Sequence, residues 1–339
     1  MSGRPFRLAV ADSPRAPFDD RLLRRLEERG RVKAQLFREP EFSGTAGGSF
    51  DALFVPEIMS GPLRQLLRRA RRHLPILLGD AAPLPRFRRG LLRNAALHFY
   101  GSDAAREERI RAGIEPERLH FLPPHPLEFE TTAERRKNEE RARALRSALG
   151  IPDSERVLLF AGEFTRENAP GILLESFFLR LRECGLSGWT LALAGSGPLE
   201  GQLRALAGAS ARVRFLPDSE PPAVLRRGGD LIALPSKSQR TGARAAAVAE
   251  SMASGRPVLV TENAGAGLAL VRPGKTGWSV DSAHPELWFD YIRPVSREQL
   301  RRMGEAARSA AEAWSFDAAA AAIERATETI PDFFAENGG

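Results

Sequence analysis

Four segments after residue 150 place glycine or small polar residues just after short apolar runs. They are Gly162 with Thr165, Gly195-Ser196-Gly197, Pro235-Ser236 through Gly242, and Asn263 through Gly267. Glycine lets a backbone approach a phosphate closely, and the free N–H groups at a helix start favour an anion. Glycine also closes strand-to-helix turns in any α/β protein. On the glycines alone, two readings stay open: a nucleotide site built from converging loops, or ordinary turn closure. The cations near these loops are Arg166, Lys237, Arg240 and Arg244, available either to face phosphates or to sit in solvent.

The elements that must position these loops alternate along the chain. Arg7–Ala11 reads as a strand and Asp20–Arg29 as a helix with Leu22, Leu23 and Leu26 on one side. Asp51–Val55 is a second strand. Leu63, Leu66, Leu67, Ala70 and Leu74 then recur with the spacing of a helix lying on a sheet. Ile76–Leu78, Ala95–Tyr100 and Leu119–Leu122 complete the strands, with helices near 86–94 and 103–112. After Pro123–Pro126 comes ERRKNEERARALR (134–146), a solvated helix or linker by its charge. A second alternating series follows. Its strands are Val157–Ala161, Thr190–Ala194, Val213–Leu216, Asp230–Leu234 and Pro257–Thr261, and its helices Pro170–Arg182, Leu199–Ala207 and Ala243–Ala253. Arg297–Trp314 and Phe316–Ile330 close the chain as helices.

Alternation of this kind predicts an α/β fold of two doubly wound, Rossmann-like domains facing across a cleft. The expected division is residues 1–130, a linker or helix at 131–150, a second domain at 151–314, and a C-terminal helix at 315–339 packing back toward the first domain.

Composition narrows the function classes. The chain has 339 residues, 42% apolar and 27% charged, which excludes a disordered or fibrous protein. A single cysteine, Cys184, excludes a disulfide framework and a cysteine-based zinc site. No apolar run approaches the ~20 residues of a membrane span, and the N-terminal run is shorter than the ~7–15 of a signal peptide. A soluble, cytoplasmic protein is expected.

The net charge of +7 is local. Residues 61–112 carry twelve arginines against Asp80, Asp103, Glu107 and Glu108. Arg86, Arg88, Arg89 and Arg93, with Phe87, Leu91 and Leu92 among them, form a short basic and partly apolar face suited to anionic lipid at the inner face of a membrane. The same charges also suit an ordinary amphipathic helix. Aromatic residues do not interleave with arginine in a stacking pattern, so nucleic acid is not expected. The five histidines (73, 98, 120, 125, 284) are scattered and read as surface or packing residues.

The order of motifs in the second half resembles the nucleotide-binding half of the family 4 glycosyltransferases, which have the GT-B fold. LLFAGEFTRENA (158–169) is similar to the family's opening strand and glycine, and LALAGSGPLEGQLRALA (191–207) with VRFLP (213–217) to its next strands. DLIALPSKSQRTGARAAAVAESMASGRPVLVTENAGAG (230–267) resembles the family's most specific stretch, and PGKTGW (273–278) its following turn. HFYGSDAAREERIRAGIEPERLHFLPP (98–124) and AWSFDAAAAAIER (313–325) look like the last β-α-β of its acceptor domain and its closing helix.

The resemblance implies a retaining transferase that takes its sugar from a nucleotide diphosphate sugar, without metal or separate cofactor. The acceptor, a glycan or lipid-linked molecule, would bind the N-terminal domain. It further implies that Glu250 contacts the ribose and that the loop before Gly242 cradles the diphosphate. Gly162, Gly195, Ser236, Gln239 and Gly242 would line the donor site, with Arg166, Lys237, Arg240 and Arg244 as the candidates to hold the diphosphate. This chain departs from the family at its phosphate-facing cations: Glu163 stands for the arginine and Asn168 for the lysine, with Arg166 between them. Gly242 occupies the position eight residues before Glu250 where the family has a first glutamate; a short insertion would put Gln239 there. Gly265-Ala266-Gly267-Leu268 lacks the family's acid. No catalytic base is evident, and Asp80, at a strand end, and Gln239 are the candidates. Those departures sustain a second reading, a catalytically silent GT-B scaffold that binds a partner or glycan.

If the basic face meets anionic lipid, reversing charge at Arg88 and Arg89 abolishes co-sedimentation with phosphatidylserine vesicles. Unchanged co-sedimentation, or none with the native chain, discards that contact.

Overall fold

Two parallel six-stranded sheets make up the computed structural model, which describes residues 5–12, 19–38, 50–55, 76–78, 95–217, 219–237, 242–263, 265–281, 284 and 287–337. The chain divides into two compact units, Met1–Pro126 with Ala313–Gly339, and Leu127–Glu312.

In the first unit the strands are β1 (Phe6–Asp12), β2 (Val32–Arg38), β3 (Ala52–Val55), β4 (Ile76–Leu78), β5 (Leu97–Tyr100) and β6 (Leu119–Phe121), in sheet order β2-β1-β3-β4-β5-β6. β2 carries no signal in the sequence that sets it apart as a strand. It pairs with β1 from Phe6↔Val32 to Asp12↔Arg38, and Lys33 and Gln35 face solvent between the more sheltered Val32, Ala34 and Leu36. Helix α1 (Asp20–Arg29) starts where the Asp19 carboxylate accepts from the Arg21 N–H and stops at Gly30, whose φ of 71° suits glycine. Helix α2 (Asp103–Arg111) starts at Ser102, which accepts from the Ala105 N–H. Arg109 in this helix belongs to the basic segment, yet it is buried and donates to the Ala105 carbonyl at 3.1 Å.

The second unit opens with α3 (Thr132–Ala148), entered through a capping box between Thr131 and Glu134. Its strands are β7 (Arg156–Ala161), β8 (Trp189–Ala194), β9 (Val213–Leu216), β10 (Leu231–Leu234), β11 (Val258–Thr261) and β12 (Gly277–Val280), in order β12-β11-β10-β7-β8-β9. PGKTGW thus holds not only a turn but the start of β12, which pairs with β11. The interleaved helices are α4 (Gly171–Cys184), α5 (Glu200–Ala207), α6 (Pro222–Gly228), α7 (Gly242–Ala253), α8 (Trp288–Ile292) and α9 (Arg297–Ala311). The chain walks outward from β7 to β9, then returns past β7 to lay down β10, β11 and β12. Buried strands on both sides of that reversal, with Phe164, Phe177, Trp189, Trp288 and Phe289 packed around them, form the core. After Glu312 the chain rejoins the first unit as α10 (Phe316–Asn337). Phe316, Ala319, Ala320, Ile323, Ala326 and Ile330 of α10 pack with Leu22 and Leu26 of α1 and with Leu8, Val10, Phe54 and Phe99 of the sheet.

Charge docks α3 where apolar contact is sparse, since only Ala142 of this helix is buried. The Arg227 guanidinium, fully buried, is held by Glu130 and by Glu139 at 3.3 Å. Arg256 donates to Glu139 at 3.0 Å and to the Arg227 carbonyl at 2.9 Å. Arg141 pairs with Glu220 at 2.7 Å, and Arg146 with Asp230 at 2.9 Å. Burial pushes the Glu139 carboxyl up, but Arg256 and Arg227 outweigh it and hold the group below its ordinary value of 4.5. Because the folded-state value is the lower one, the stabilisation is present above the unfolded value and is lost as pH falls through the folded one. Glu139→Gln should therefore cost about 1–3 kcal/mol at pH 7. The difference in melting temperature from the native chain should narrow below pH 4.

Candidate functional site

Reversal of strand order leaves β7 and β10 side by side with their following loops diverging, the place where open α/β sheets bind ligands. Every loop singled out in the sequence leaves the carboxyl end of a strand in this sheet.

Two of the glycines are required by the protein's own packing. Gly195 (φ 139°) and Gly197 (φ 148°) let the loop after β8 cross the loop after β7. A Cβ at 195 would lie 2.0 Å from the Gly162 carbonyl oxygen, and one at 197 would lie 2.8 Å from both the nitrogen and oxygen of Phe164. The crossing is sealed by Gly162 N–H donating to the Ala194 carbonyl (3.0 Å), Phe164 N–H to Ser196 (2.7 Å) and Leu199 N–H to Phe164 (3.0 Å). Gly267 has a similar reason, since a Cβ there would meet Val248 at 3.0 Å and Ala245 at 3.2 Å in α7. Gly162 differs. It is exposed, and a Cβ would touch only the Phe160 ring at an ordinary 3.4 Å.

The loop after β7 closes on itself. Asn168 N–H donates to the Thr165 hydroxyl at 3.2 Å, and the Asn168 amide donates to the Glu163 carbonyl at 2.9 Å. Ala169 follows at φ 47°, the left-handed region where glycine is the usual residue. Asn168 thus ties the loop together. Glu163, Arg166 and Glu167 are exposed on its outside.

From this loop a hydrogen-bonded rim runs across three neighbouring elements. The Glu167 carbonyl accepts from the Lys237 N–H at 3.0 Å and from the Ser236 hydroxyl at 3.1 Å, and Ser236 is fully buried. The Ser236 carbonyl accepts from the Asn263 amide at 3.3 Å. Thr261 donates to the Asn263 side-chain oxygen at 2.5 Å. Arg244, in the first turn of α7, donates to the Asn263 carbonyl at 3.2 Å and to its side-chain oxygen at 3.3 Å. Burial lowers the Arg244 guanidinium from its ordinary value, partly countered by the Glu167 carboxylate; an arginine remains a cation at neutral pH even so. The structure thus links Ser236, Lys237 and Arg244 through Glu167 and Asn263, with Gly242 as the first residue of α7, while Gly162 and Gly195 meet at the crossing of the loops after β7 and β8. Asp80, Gln239 and Arg240 lie outside the described residues, as do Arg86, Arg88, Arg89 and Arg93.

Glu250 is not part of this rim. It stands eight residues along α7 from Gly242, about 12 Å at the helical rise. There it pairs with Arg226 of α6 and keeps 42% of its side chain exposed. Helical side chains lean toward the helix start, so Glu250 leans toward the rim. Arg226 was not singled out from the sequence, and nothing in the run Arg226-Arg227-Gly228-Gly229 marks one arginine as different from the other.

Of the histidines, His98 is buried within β5, and His120 is half-buried near the Phe99 ring, its pKa lowered by burial and by Arg325. Among the described residues no three His, Cys, Asp or Glu side chains cluster as around a metal ion, and no helix is long and apolar enough to cross a membrane.

Residues 155–297 match the family model described as Glycosyl transferases group 1. A D-inositol 3-phosphate glycosyltransferase of Corynebacterium jeikeium is 34% identical over 203 residues, which is 55% of this chain but only 46% of that protein. Among solved structures, Anabaena HepE in complex with UDP superposes with a TM-score of 0.63 at 16% identity, covering 96% of this chain and all of that one. Sucrose-phosphate synthase from Thermosynechococcus elongatus superposes at 0.67 and 14% identity, covering 96% and 99%. The fold is GT-B, as the motif order implied.

Gly195→Ala should destabilise the protein by about 1–3 kcal/mol through the strained backbone alone, with the contact at Gly162 adding to it. Gly201→Ala, in α5 with open space around its Cβ position, should stabilise by about 0.5–1 kcal/mol. Paired chemical denaturation curves check both.

Proposed function

We propose that the chain is a glycosyltransferase that binds a nucleotide diphosphate sugar on its second unit and transfers the sugar, with retention and without a metal, to a glycan or lipid-linked acceptor. The observation that carries this reading is the rim at the strand reversal. There Glu167, Ser236, Lys237 and Asn263 tie the loops after β7, β10 and β11 together beside Arg244 in the first turn of α7. Gly195 and Gly197 are explained by packing, whereas a Cβ at Gly162 would meet only the Phe160 ring at 3.4 Å.

Placement of charge supports a substitution of cations. With Glu163 and Asn168 in the family's cationic positions, Lys237 and Arg244 take over the diphosphate, each charge-assisted bond contributing about 1.5–3 kcal/mol. They and the α7 dipole stabilise the charge that develops on the departing diphosphate. A nucleotide laid along α7 with its phosphates at Gly242 brings its ribose toward Glu250. HepE's complex with UDP favours uridine diphosphate as the first ligand to try, and the name of the Corynebacterium relative favours polyhydroxylated phosphates among trial acceptors.

One specific observation favours the second reading, a silent scaffold: the Asn168 amide is engaged within its own loop and Glu163 presents a carboxylate beside it.

A thermal-shift panel with UDP, GDP, ADP and CMP separates the two. A ligand at 100 times its Kd adds about 2.7 kcal/mol, a rise of several degrees for a protein of this size. The transferase reading expects such a rise for one diphosphate, lost in the Lys237→Ala/Arg244→Ala double variant. No rise at millimolar ligand, with a cooperative melt retained, establishes the scaffold.

A further inference from the structure

We propose that Arg226 is a positioning residue for donor binding, and that through Glu250 it sets the preference of the site for ribose over deoxyribose. This rests on the reading of Glu250 as the ribose partner. The two residues come from consecutive helices, α6 and α7, and their side chains form an ion pair. Exposure divides unequally between them: the Arg226 side chain is 20% exposed and the Glu250 side chain 42%. The arginine is the sheltered anchor and the glutamate the part that a ligand can reach.

Arg226 sits on a fixed base. In α6, Val224, Leu225 and Gly228 are buried, and the adjacent Arg227 is clamped by Glu130 and Glu139. The helix lies over β7, whose carboxyl end opens the rim, and α7 lies over β10 and β11. A lone glutamate on a helix surface has large rotamer freedom, which ligand binding would have to remove. The Arg226 guanidinium removes it beforehand by engaging one carboxylate oxygen, Oε2. A carboxylate has about four lone-pair sites, so Oε1 is left to accept from a ribose hydroxyl. A sugar lacking the 2′-hydroxyl gives up that charge-assisted bond.

The test measures the affinities of UDP, GDP and ADP and of their 2′-deoxy counterparts by calorimetry. Proteins compared are the native chain, Arg226→Met, the shorter neutral polar Arg226→Gln, and Arg226→Lys. The native chain should prefer the ribonucleotide about tenfold, the equivalent of 1.4 kcal/mol. In Arg226→Met that ratio should fall below twofold while the affinity for the deoxynucleotide stays within twofold of native. Arg226→Lys should recover most of the ratio. Arg226→Gln reports the same loss should the methionine variant fail to fold. A merely structural role would weaken both nucleotides together and leave the ratio unchanged, which overturns the proposal. So does tighter ribonucleotide binding by Arg226→Met, the sign that the arginine competes with the ligand. Binding of a diphosphate by the native chain with no ribose preference defeats this inference alone. Binding of none of the three defeats the donor site as well.

Discussion

β7 and β10 hydrogen-bond side by side, Leu158 opposite Leu231, although β8 and β9 come between them in the chain. The strands are apolar and buried on both faces, so the pairing rests on the hydrophobic packing of the whole second unit. Because the chain leaves β7 in one direction and arrives at β10 from the other, the two following loops part. The rim spans that parting by short hydrogen bonds, with the Glu167 carbonyl on one side and Ser236 and Lys237 on the other. Neither loop alone holds the polar groups at this spacing.

Arginine serves structure in this protein more than its net charge suggests. Arg146, Arg156, Arg212, Arg214, Arg297 and Arg308 each donate to backbone carbonyls. Others zip helices together: Arg29 gives a bidentate bond to the buried Glu324 of α10, at 2.8 and 3.0 Å, and Arg25 reaches Asp317 at 2.8 Å. A planar guanidinium with five donors can close a carbonyl and pair an acid at once, and it stays charged when partly buried. Positive charge used in this manner is held inside the fold rather than displayed as a surface for polyanions.

Most of the architecture was legible because it depends on local pattern. β7, β8, β10 and β11 are short apolar runs followed by glycine, proline or a polar loop, the signature of buried parallel strands. β2 was hidden by its place at the sheet edge: Val32, Ala34 and Leu36 alternate with polar residues too briefly to stand out, and its pairing with β1 is a long-range event. β12 was hidden by the motif it belongs to, since PGKTGW reads as a turn although Gly277 and Trp278 already pair with Val258 and Leu259. The charge of ERRKNEERARALR allows a solvated helix or a linker, and what makes it the helix α3 are partners far along the chain, Glu220, Arg227 and Asp230. For the site, the loops were readable from glycine and small polar residues. The uses of Asn168 and Arg226 were not, because a side chain's partner is decided by tertiary geometry.

The first unit is assembled from both ends of the described chain. Its sheet is complete by Phe121, but the apolar residues that cover one face of it, Phe316, Ile323 and Ile330 among them, arrive only with α10. The whole second unit is made in between. At about 5–20 residues per second of synthesis, that face of the sheet waits on the order of ten to forty seconds for its cover. During that interval the second unit can already fold. The sheet of the earlier unit therefore gains this cover only after the later unit has been made.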